Sequence, residues 1–139
     1  MNKIRMIALA ACMAATLDAS AQEQEIRLFS HRGGRMEHDE NTLSAFQASY
    51  DAGYRGFETD IRMTRDGALV ITHDSSLERT TDGTGTVEEK TEAEIRRLRT
   101  KQGNKVLFLD ELLEFLEGKE GLYVEFEMKT HPAALYPEE

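Results

Sequence analysis

The alternation of apolar and polar residues predicts four β-strands along this chain. Between the second and third of them, Asp66-Gly67 has the composition of a tight turn. The predicted strands are residues 26–30, 56–63, 69–73 and 122–128.

Apolar residues at helical spacing predict two longer helices between these strands. We expect Asn41 to be the N-cap of the first helix and Gly53 to end it, and we expect Gly118 to end the second. A capping box of Thr91 and Glu94 predicts a short additional helix. The apolar stripes are Leu43, Phe46 and Tyr50 in the first long helix and Leu109, Leu112, Leu113 and Leu116 in the second.

The order of these elements indicates the fold class. Strands that alternate with helices favour parallel pairing through right-handed crossovers. We therefore predict an α/β fold in which strand–helix units form part of a barrel. A closed barrel of eight such units takes about 250 residues. Because this chain has 139 residues, we expect the barrel to stop after about four strands.

The first 21 residues have the composition of a secretory signal rather than of a folded domain. Two basic residues precede an apolar, alanine-rich run, and the small residues before the expected cut after Ala21 fit a signal cleavage site. The run is too short to span a bilayer core of about 30 Å. We therefore expect a secreted or periplasmic protein with no transmembrane segment in its mature chain. An alternative stays open, because residues 9–12 resemble a lipoprotein box that would anchor the protein at Cys12.

The expected mature chain, residues 22–139, is acidic. Removing the signal changes the formal net charge from −9 to −10, which excludes a general binder of nucleic acid phosphates. The single cysteine, Cys12, leaves with the signal, so disulfides and a thiol nucleophile are excluded as well. A phosphate ligand would therefore depend on positive charge supplied locally.

Acidic side chains near the ends of two predicted strands indicate a metal site. In residues 56–63, Glu58 and Asp60 share one face because side chains alternate across a strand. Two neighbouring carboxylates in a partly buried place repel each other, and a divalent cation such as Mg²⁺ or Ca²⁺ removes that conflict. Glu127, near the end of the fourth strand, is the natural third ligand. An alternative is that Glu58 and Asp60 form a solvated acidic edge of an antiparallel strand.

Two histidines and two cations are expected near these carboxylates. His31 and His73 each end or follow a strand, and imidazole titrates near neutrality, so both are candidates for a general acid or base. The C-terminal strand ends of an α/β barrel form one catalytic face, which favours catalysis over a structural role. Arg32, beside His31, is suited to bind a phosphate, and Lys129 is placed to meet an anionic substrate.

Seven short segments, taken in their order and spacing, form a specific pattern that runs from about residue 29 to residue 129. They are His31-Arg32-Gly33, Glu40-Asn41-Thr42 with Ala45-Phe46, Glu58-Thr59-Asp60, His73-Asp74, Arg79-Thr80-Thr81-Asp82-Gly83, Leu109-Asp110-Glu111-Leu112-Leu113 and Glu127-Met128-Lys129. This pattern resembles the signature of the glycerophosphodiester phosphodiesterase family.

The resemblance implies a fold and an activity. The family fold is a TIM (β/α)8 barrel, of which residues 22–139 would be the first half. The family hydrolyses glycerophosphodiesters to glycerol 3-phosphate and an alcohol, with one divalent cation, Ca²⁺ or Mg²⁺. The implied roles are metal binding for Glu58, Asp60 and Glu127, acid–base catalysis for His31 and His73, and phosphate binding for Arg32 and Lys129.

Two residues depart from the family pattern. Asp39 stands where the family commonly has proline, which alters the loop but removes no catalytic group. Glu125 stands where asparagine is frequent and adds a negative charge beside the expected metal site. This extra charge bears on the choice and the affinity of the metal ion.

Three further readings stay open at this stage. One is a related barrel that acts on phospholipid headgroups, such as a sphingomyelinase D-like enzyme. The others are a non-catalytic phosphoester-binding protein and an inactive, truncated gene product. Because an open half-barrel exposes strand edges and apolar surface, we also expect the isolated chain to aggregate or to dimerise.

Overall fold

The computed structural model describes residues 27–129. The predicted signal of residues 1–21, the lipoprotein reading at Cys12, the start of the first predicted strand at Ile26 and the tail from residue 130 lie outside the described residues. Within residues 27–129, no helix has the length and apolar character needed to cross a membrane.

The described residues contain the predicted elements in the predicted order. Each predicted strand is present, although the third is two residues shorter than expected, and both amphipathic helices are confirmed. The elements are β1 (Phe29–His31), α1 (Leu43–Asp51), β2 (Gly56–Met63), β3 (Leu69–Ile71), a 3-10 turn (Val87–Glu89), α2 (Glu92–Ile95), α3 (Leu109–Leu116) and β4 (Tyr123–Met128).

Strand β2 is the centre of the four-stranded sheet. β1 pairs with residues 56–58 and β4 pairs with residues 56–61, both in parallel. β3 pairs antiparallel with residues 61–63. Because β1 and β4 share the partners 56–58, they lie on opposite sides of β2, and β3 continues the side begun by β1. The carboxyl ends of the three parallel strands therefore meet at one edge of the sheet.

Strand β3 does not follow the parallel pairing expected for the sheet. It joins β2 through a tight turn in which Gly67 has a φ of 90° and the Thr64 hydroxyl donates a hydrogen bond to Asp66. A parallel neighbour needs a crossover of a dozen or more residues, so a strand that follows this turn folds back antiparallel. The prediction of parallel pairing is confirmed for β1, β2 and β4 and is wrong for β3.

The hydrophobic core covers one face of β2. Phe57 and Ile61 are buried against α1 and α3, and the Phe57 ring meets Phe46 edge to face with centroids 5.6 Å apart. Since side chains alternate along a strand, Glu58 and Asp60 lie on the opposite face. The main core cluster consists of Phe46, Phe57, Ile61, Ile71, Leu107 and Leu112.

The N-terminus of α1 differs from the predicted one. Thr42 is the N-cap, and its hydroxyl oxygen accepts a hydrogen bond from the Ala45 amide at 3.3 Å. Asn41, the predicted cap, has a φ of 57° and donates its side-chain amide to Asp60. The prediction of Asn41 as the cap is therefore wrong, because its side chain serves the edge of the sheet instead.

The β1–α1 connection is held close to α1 by a glycine. Gly33 has a φ of 73°, and a Cβ at this position would lie 3.0 Å from the Cβ of Ala45 and 3.1 Å from the backbone nitrogen of Phe46. A larger residue here would strain the left-handed backbone and would push the start of α1 away by a few tenths of an ångström. The segment that follows His31 is thereby packed directly onto the start of α1.

Two further features bear on the predictions. The capping box of α2 is confirmed, because the Thr91 hydroxyl accepts from the Glu94 amide while the Glu94 carboxylate accepts from the Thr91 amide. The apolar face of β4 is covered only in part, since Val124 packs on the core whereas Phe126 and Met128 are exposed. Among the described residues, β4 pairs only with β2, so its outer edge is open.

Candidate metal centre and active site

Three carboxylates meet where the parallel strands end. Glu58 and Asp60 lie on β2 and Glu127 lies on β4, and the parallel register places Asp60 opposite Glu127. One oxygen of each of the three carboxylates lies within 4.8 Å of the other two. The structure thus brings together the three residues predicted to hold the metal.

Asp60 is the most constrained member of the cluster. Its side chain is 0% exposed, and one carboxylate oxygen, Oδ2, accepts a hydrogen bond from the Asn41 amide at 3.1 Å. The other oxygen, Oδ1, forms an ion pair with the Lys129 ammonium at 3.0 Å but has no hydrogen-bond partner. Asp60 Oδ1 is therefore a buried anionic oxygen with a charged neighbour and no hydrogen bond.

Glu58 experiences an excess of negative charge. Burial, followed by the charge of Asp60, raises the pKa of the Glu58 carboxyl above its usual value, although His31 and Arg32 act in the opposite direction. Its carboxylate accepts a hydrogen bond from the backbone amide of Arg32 at 3.3 Å. The raised pKa reflects the repulsion between the carboxylates of Glu58 and Asp60, and a divalent cation bound between them would remove that repulsion.

The two predicted phosphate-binding cations lie against these same carboxylates. Arg32 is nearly buried, with its Nε 3.2 Å from Asp60, and this Nε makes no hydrogen bond. The Lys129 ammonium lies 2.5 Å from Glu127 and 3.0 Å from Asp60. Burial lowers the pKa of Lys129, but the close contacts with Glu127 and Asp60 and their negative charges outweigh it, so the pKa is raised.

The donor set fits a hard divalent cation. Three clustered carboxylates and the two cations that contact Asp60 carry one net negative charge when all five groups are ionised. The orphaned oxygen of Asp60 is a hard, anionic ligand of the kind that Mg²⁺ and Ca²⁺ take. Glu127 is 57% exposed, which leaves this side of the cluster accessible to a ligand.

The two candidate histidines lie in different surroundings. His31 is half exposed, and its Nε2 lies 3.5 Å from the Glu58 carboxylate. His73 follows the antiparallel strand β3, where its carbonyl accepts from Arg62 and its Nδ1 lies 2.7 Å from Asp74. The structure therefore places His31 in contact with the acidic cluster and His73 in contact with a fourth carboxylate.

Several polar residues were not predicted to take part in the site. Asn41 clasps the end of β2, because its amide donates to Asp60 while its carbonyl oxygen accepts from the Thr59 hydroxyl at 3.0 Å. Glu40 and Arg79 form an ion pair at 2.7 Å that connects two loops. In the sequence, these residues stand out only because they belong to the segments that resemble the family signature.

The structure also shows the surroundings of Asp39 and Glu125, the two residues that depart from the family pattern. Asp39 accepts hydrogen bonds from the side chains of Thr100 and Asn104, the latter at 2.8 Å, and so ties two loops together. Glu125 is exposed and pairs in register with Glu58 on the neighbouring strand. Asp39 is therefore a loop anchor, while Glu125 adds negative charge two residues before Glu127 on β4.

The comparisons with known proteins agree with this arrangement. The fold and the site define a protein of the α/β-barrel class with an acidic centre at its strand ends. A family model described as the glycerophosphoryl diester phosphodiesterase family matches residues 31–139. The chain therefore belongs to this family, as the resemblance of its segments predicted.

Named relatives support the assignment. A glycerophosphodiester phosphodiesterase of Caldanaerobacter subterraneus subsp. tengcongensis is 35% identical over 117 residues, which cover 79% of this chain and 47% of the relative. The human glycerophosphodiester phosphodiesterase 1 is 44% identical over 73 residues, which cover 52% of this chain and 22% of the relative. The chain thus spans about half, or less, of the length of these curated relatives.

Solved structures show the same fold. A crystal structure of a glycerophosphodiester phosphodiesterase from Agrobacterium tumefaciens is 34% identical with a TM-score of 0.70, over 80% of this chain and 52% of that one. A phosphodiesterase from Oleispira antarctica, in complex with the product sn-glycerol-3-phosphate, is 30% identical with a TM-score of 0.69, over 75% of this chain and 44% of that one. The prediction of a partial TIM (β/α)8 barrel is therefore confirmed.

Proposed function

We propose that the protein hydrolyses glycerophosphodiesters to glycerol 3-phosphate and an alcohol, with the help of a divalent cation. The observation that carries this proposal is the buried carboxylate of Asp60, with two further carboxylates whose oxygens lie within 4.8 Å of it and of each other. The product bound to the Oleispira relative supports the substrate class.

Each residue of the site has a proposed role. Glu58, Asp60 and Glu127 would hold Mg²⁺ or Ca²⁺. When bound there, such an ion supplies positive charge to a non-bridging oxygen of the phosphate. The guanidinium of Arg32 and the ammonium of Lys129 would bind the remaining phosphate oxygens, since both cations lie beside Asp60, one of the carboxylates that would hold the ion.

The two histidines divide the proton transfers between them. One takes a proton from the nucleophile, which is water or a neighbouring hydroxyl of the substrate, as the nucleophile bonds to phosphorus. With water the product is glycerol 3-phosphate directly; with the hydroxyl a cyclic phosphate forms first, and water opens it in a second step to give glycerol 3-phosphate. The other gives a proton to the alcohol oxygen as the phosphorus–oxygen bond breaks. Proton transfers of this kind contribute about 10²–10⁴-fold each to the rate.

Metal binding is tested by calorimetry on the full-length protein with Mg²⁺ and with Ca²⁺. Asp60→Asn keeps the shape of the side chain and removes its charge, and we expect it to lower the affinity by at least about tenfold. Asp51→Asn is the matched control, because Asp51 is exposed on α1 and, within residues 27–129, its carboxylate accepts one hydrogen bond, from Gln47. Equal affinities in all three proteins would overturn the metal assignment.

The histidine roles are tested by turnover of a glycerophosphodiester. We expect His31→Ala and His73→Ala each to lower kcat strongly, whereas His38→Ala, at an exposed loop position, should leave it unchanged. Near-normal turnover in both site variants would end the acid–base assignment. A sphingomyelin substrate in the same assay tests the headgroup-hydrolase alternative, and preferential turnover of it would replace the proposed substrate.

Secretion forms a separate part of the proposal and rests on the sequence of residues 1–21. Mass spectrometry of the protein recovered from the cell envelope and the medium identifies its first residue. A mature chain that starts at Gln22 supports cleavage after Ala21, whereas a lipid-modified Cys12 at the N-terminus would favour the anchored form. An intact N-terminus in the cytoplasm would contradict both.

A further inference from the structure

We propose that Arg79 is a positioning residue that fixes both His73 and Arg32 by bridging two carboxylates, Asp74 and Glu40. The inference extends the proposed function, since His73 and Arg32 are the acid–base and phosphate-binding groups of that proposal. It concerns two segments, residues 40–42 and 79–83, to which the proposed reaction assigns no role.

The first arm of the bridge runs from Arg79 to His73. Arg79 Nε donates to Asp74 Oδ2, while the other oxygen of Asp74 lies 2.7 Å from His73 Nδ1. The hydrogen bond from Arg79, with a further contribution from His73, lowers the pKa of Asp74 to about 2. Asp74 is therefore ionised near neutral pH and can only accept hydrogen bonds. It follows that His73 Nδ1 carries the hydrogen, which leaves Nε2 as the nitrogen that accepts or releases the catalytic proton.

The second arm runs from Arg79 to Arg32. Two nitrogens of the Arg79 guanidinium donate to the two oxygens of Glu40, at 3.0 and 2.7 Å. Glu40 in turn accepts from Arg32 at 3.2 Å, and Arg32 lies 3.2 Å from the buried Asp60. The hydrogen bond from Arg79 contributes most to lowering the pKa of Glu40, so Glu40 stays ionised between the two arginines.

The geometry requires an arginine at this position. Arg79 uses the fork of its guanidinium on Glu40 and its Nε on Asp74, which is a planar, three-point arrangement. A lysine ammonium is a single point of charge and does not reproduce a bidentate contact together with a third one. We therefore expect Lys to be a poor substitute here.

Because Arg79 is partly exposed, its replacement should affect the site more than the stability of the fold. Its side chain is 48% exposed, and exposed ion pairs contribute little to the free energy of unfolding. Its partners, in contrast, reach the candidate catalytic histidine and a nearly buried arginine. Loss of Arg79 should therefore alter the site while leaving the fold intact.

The test compares Arg79→Met and Arg79→Lys with Arg96→Met in the full-length protein. Arg96 is the matched control, because it also contacts several carboxylates and is about one-third exposed, but it is the C-cap of α2 and its partners, Glu92, Asp110 and Glu111, are not residues of the site. We expect both Arg79 variants to lower kcat by about 10–100-fold, the range typical of residues that orient catalytic ligands. Arg96→Met should keep kcat, and all three variants should keep the wild-type melting temperature within a few degrees.

A second readout does not depend on turnover. Nitrogen-15 NMR of the His73 ring reports which nitrogen carries the hydrogen. The wild type should show a protonated Nδ1, and Arg79→Met should show a mixture of tautomers. An unchanged His73 ring together with an unchanged kcat in Arg79→Met would overturn the inference, as would an equal loss of kcat in Arg96→Met.

The two proposals fail in different ways. If the wild type lacks turnover, the proposed function fails, and the His73 spectrum alone then decides the positioning role. If the wild type is active but the Arg79 variants match it in both readouts, only the positioning role fails. Should Arg79→Met not fold, Arg79→Lys retains the charge and carries the same comparison.

Discussion

Replacing Asn41 with alanine tests the clasp that holds the end of β2. The Asn41 side chain is buried, with its amide donating to Asp60 at 3.1 Å and its carbonyl oxygen accepting from Thr59 at 3.0 Å. Its backbone has a φ of 57°, a conformation that asparagine tolerates better than alanine. Alanine at position 41 therefore loses two buried hydrogen bonds and gains backbone strain.

The magnitude follows from these three effects. The hydrogen bond to the charged Asp60 contributes about 1.5–3 kcal/mol and the neutral one from Thr59 about 0.5–1.5 kcal/mol. A left-handed backbone costs alanine about 1–2 kcal/mol. We expect the free energy of unfolding to fall by about 3–6.5 kcal/mol, a large part of the about 5–15 kcal/mol typical of a domain.

Urea denaturation of the full-length protein measures this change. Asn41→Gly is the informative companion, because glycine also loses both hydrogen bonds but adopts a positive φ without strain. It should be less destabilised than alanine by about 1 kcal/mol. An alanine variant within about 0.5 kcal/mol of the wild type, or one no worse than glycine, would refute the reasoning.

Three further predictions concern the loops around the site. Gly33→Ala should lower the melting temperature, because its Cβ would meet α1 at 3.0 Å, whereas Gly67→Ala, with a similar φ and no atom within 4 Å, should lower it less; equal shifts would contradict the packing argument. Asp39→Ala removes the acceptor of two side-chain hydrogen bonds and should destabilise the protein by about 2–4 kcal/mol in urea, while no change would mean that it is not an anchor. Asp74→Asn should make the free energy of unfolding fall less steeply as the pH is lowered from 5 to 2. The pKa of Asp74 is about 2 in the folded state and about 4 in the unfolded state. The ionised carboxylate therefore stabilises the fold above about pH 4, and this stabilisation is lost as the pH falls towards 2. Identical acid limbs in an unfolding series from pH 5 to 2 would disprove that lowered pKa.

Features that depend on residues close together in the chain were predicted correctly. The alternation in β2 placed Glu58 and Asp60 on the face opposite Phe57 and Ile61, and the structure has the same division. The capping box at Thr91 was likewise readable, because its two hydrogen bonds join residues three positions apart. Such features depend on the geometry of a single strand or turn.

Two features were predicted wrongly, the direction of β3 and the role of Asn41. β3 runs antiparallel since the turn before it leaves no length for a crossover, a conflict that the order of elements alone did not show. Asn41 has the composition of a cap, yet its side chain bonds Asp60, because the positive φ at that residue turns it away from the helix. For β3 the tight turn decided the pairing, and for Asn41 the contact with Asp60 replaced the capping role.

The sequence by itself determined the fold class, the acidic faces of the strands and the family, because these depend on periodicity and on segments that are contiguous in the chain. Only the tertiary structure decided that Glu40 and Arg79 pair across 39 positions and that Asp60 is buried among two cations. Contacts of this kind are set by the register of the sheet and the packing of the loops onto it. A side chain's partner across such a separation follows from where the whole chain places it, and no local pattern records that position.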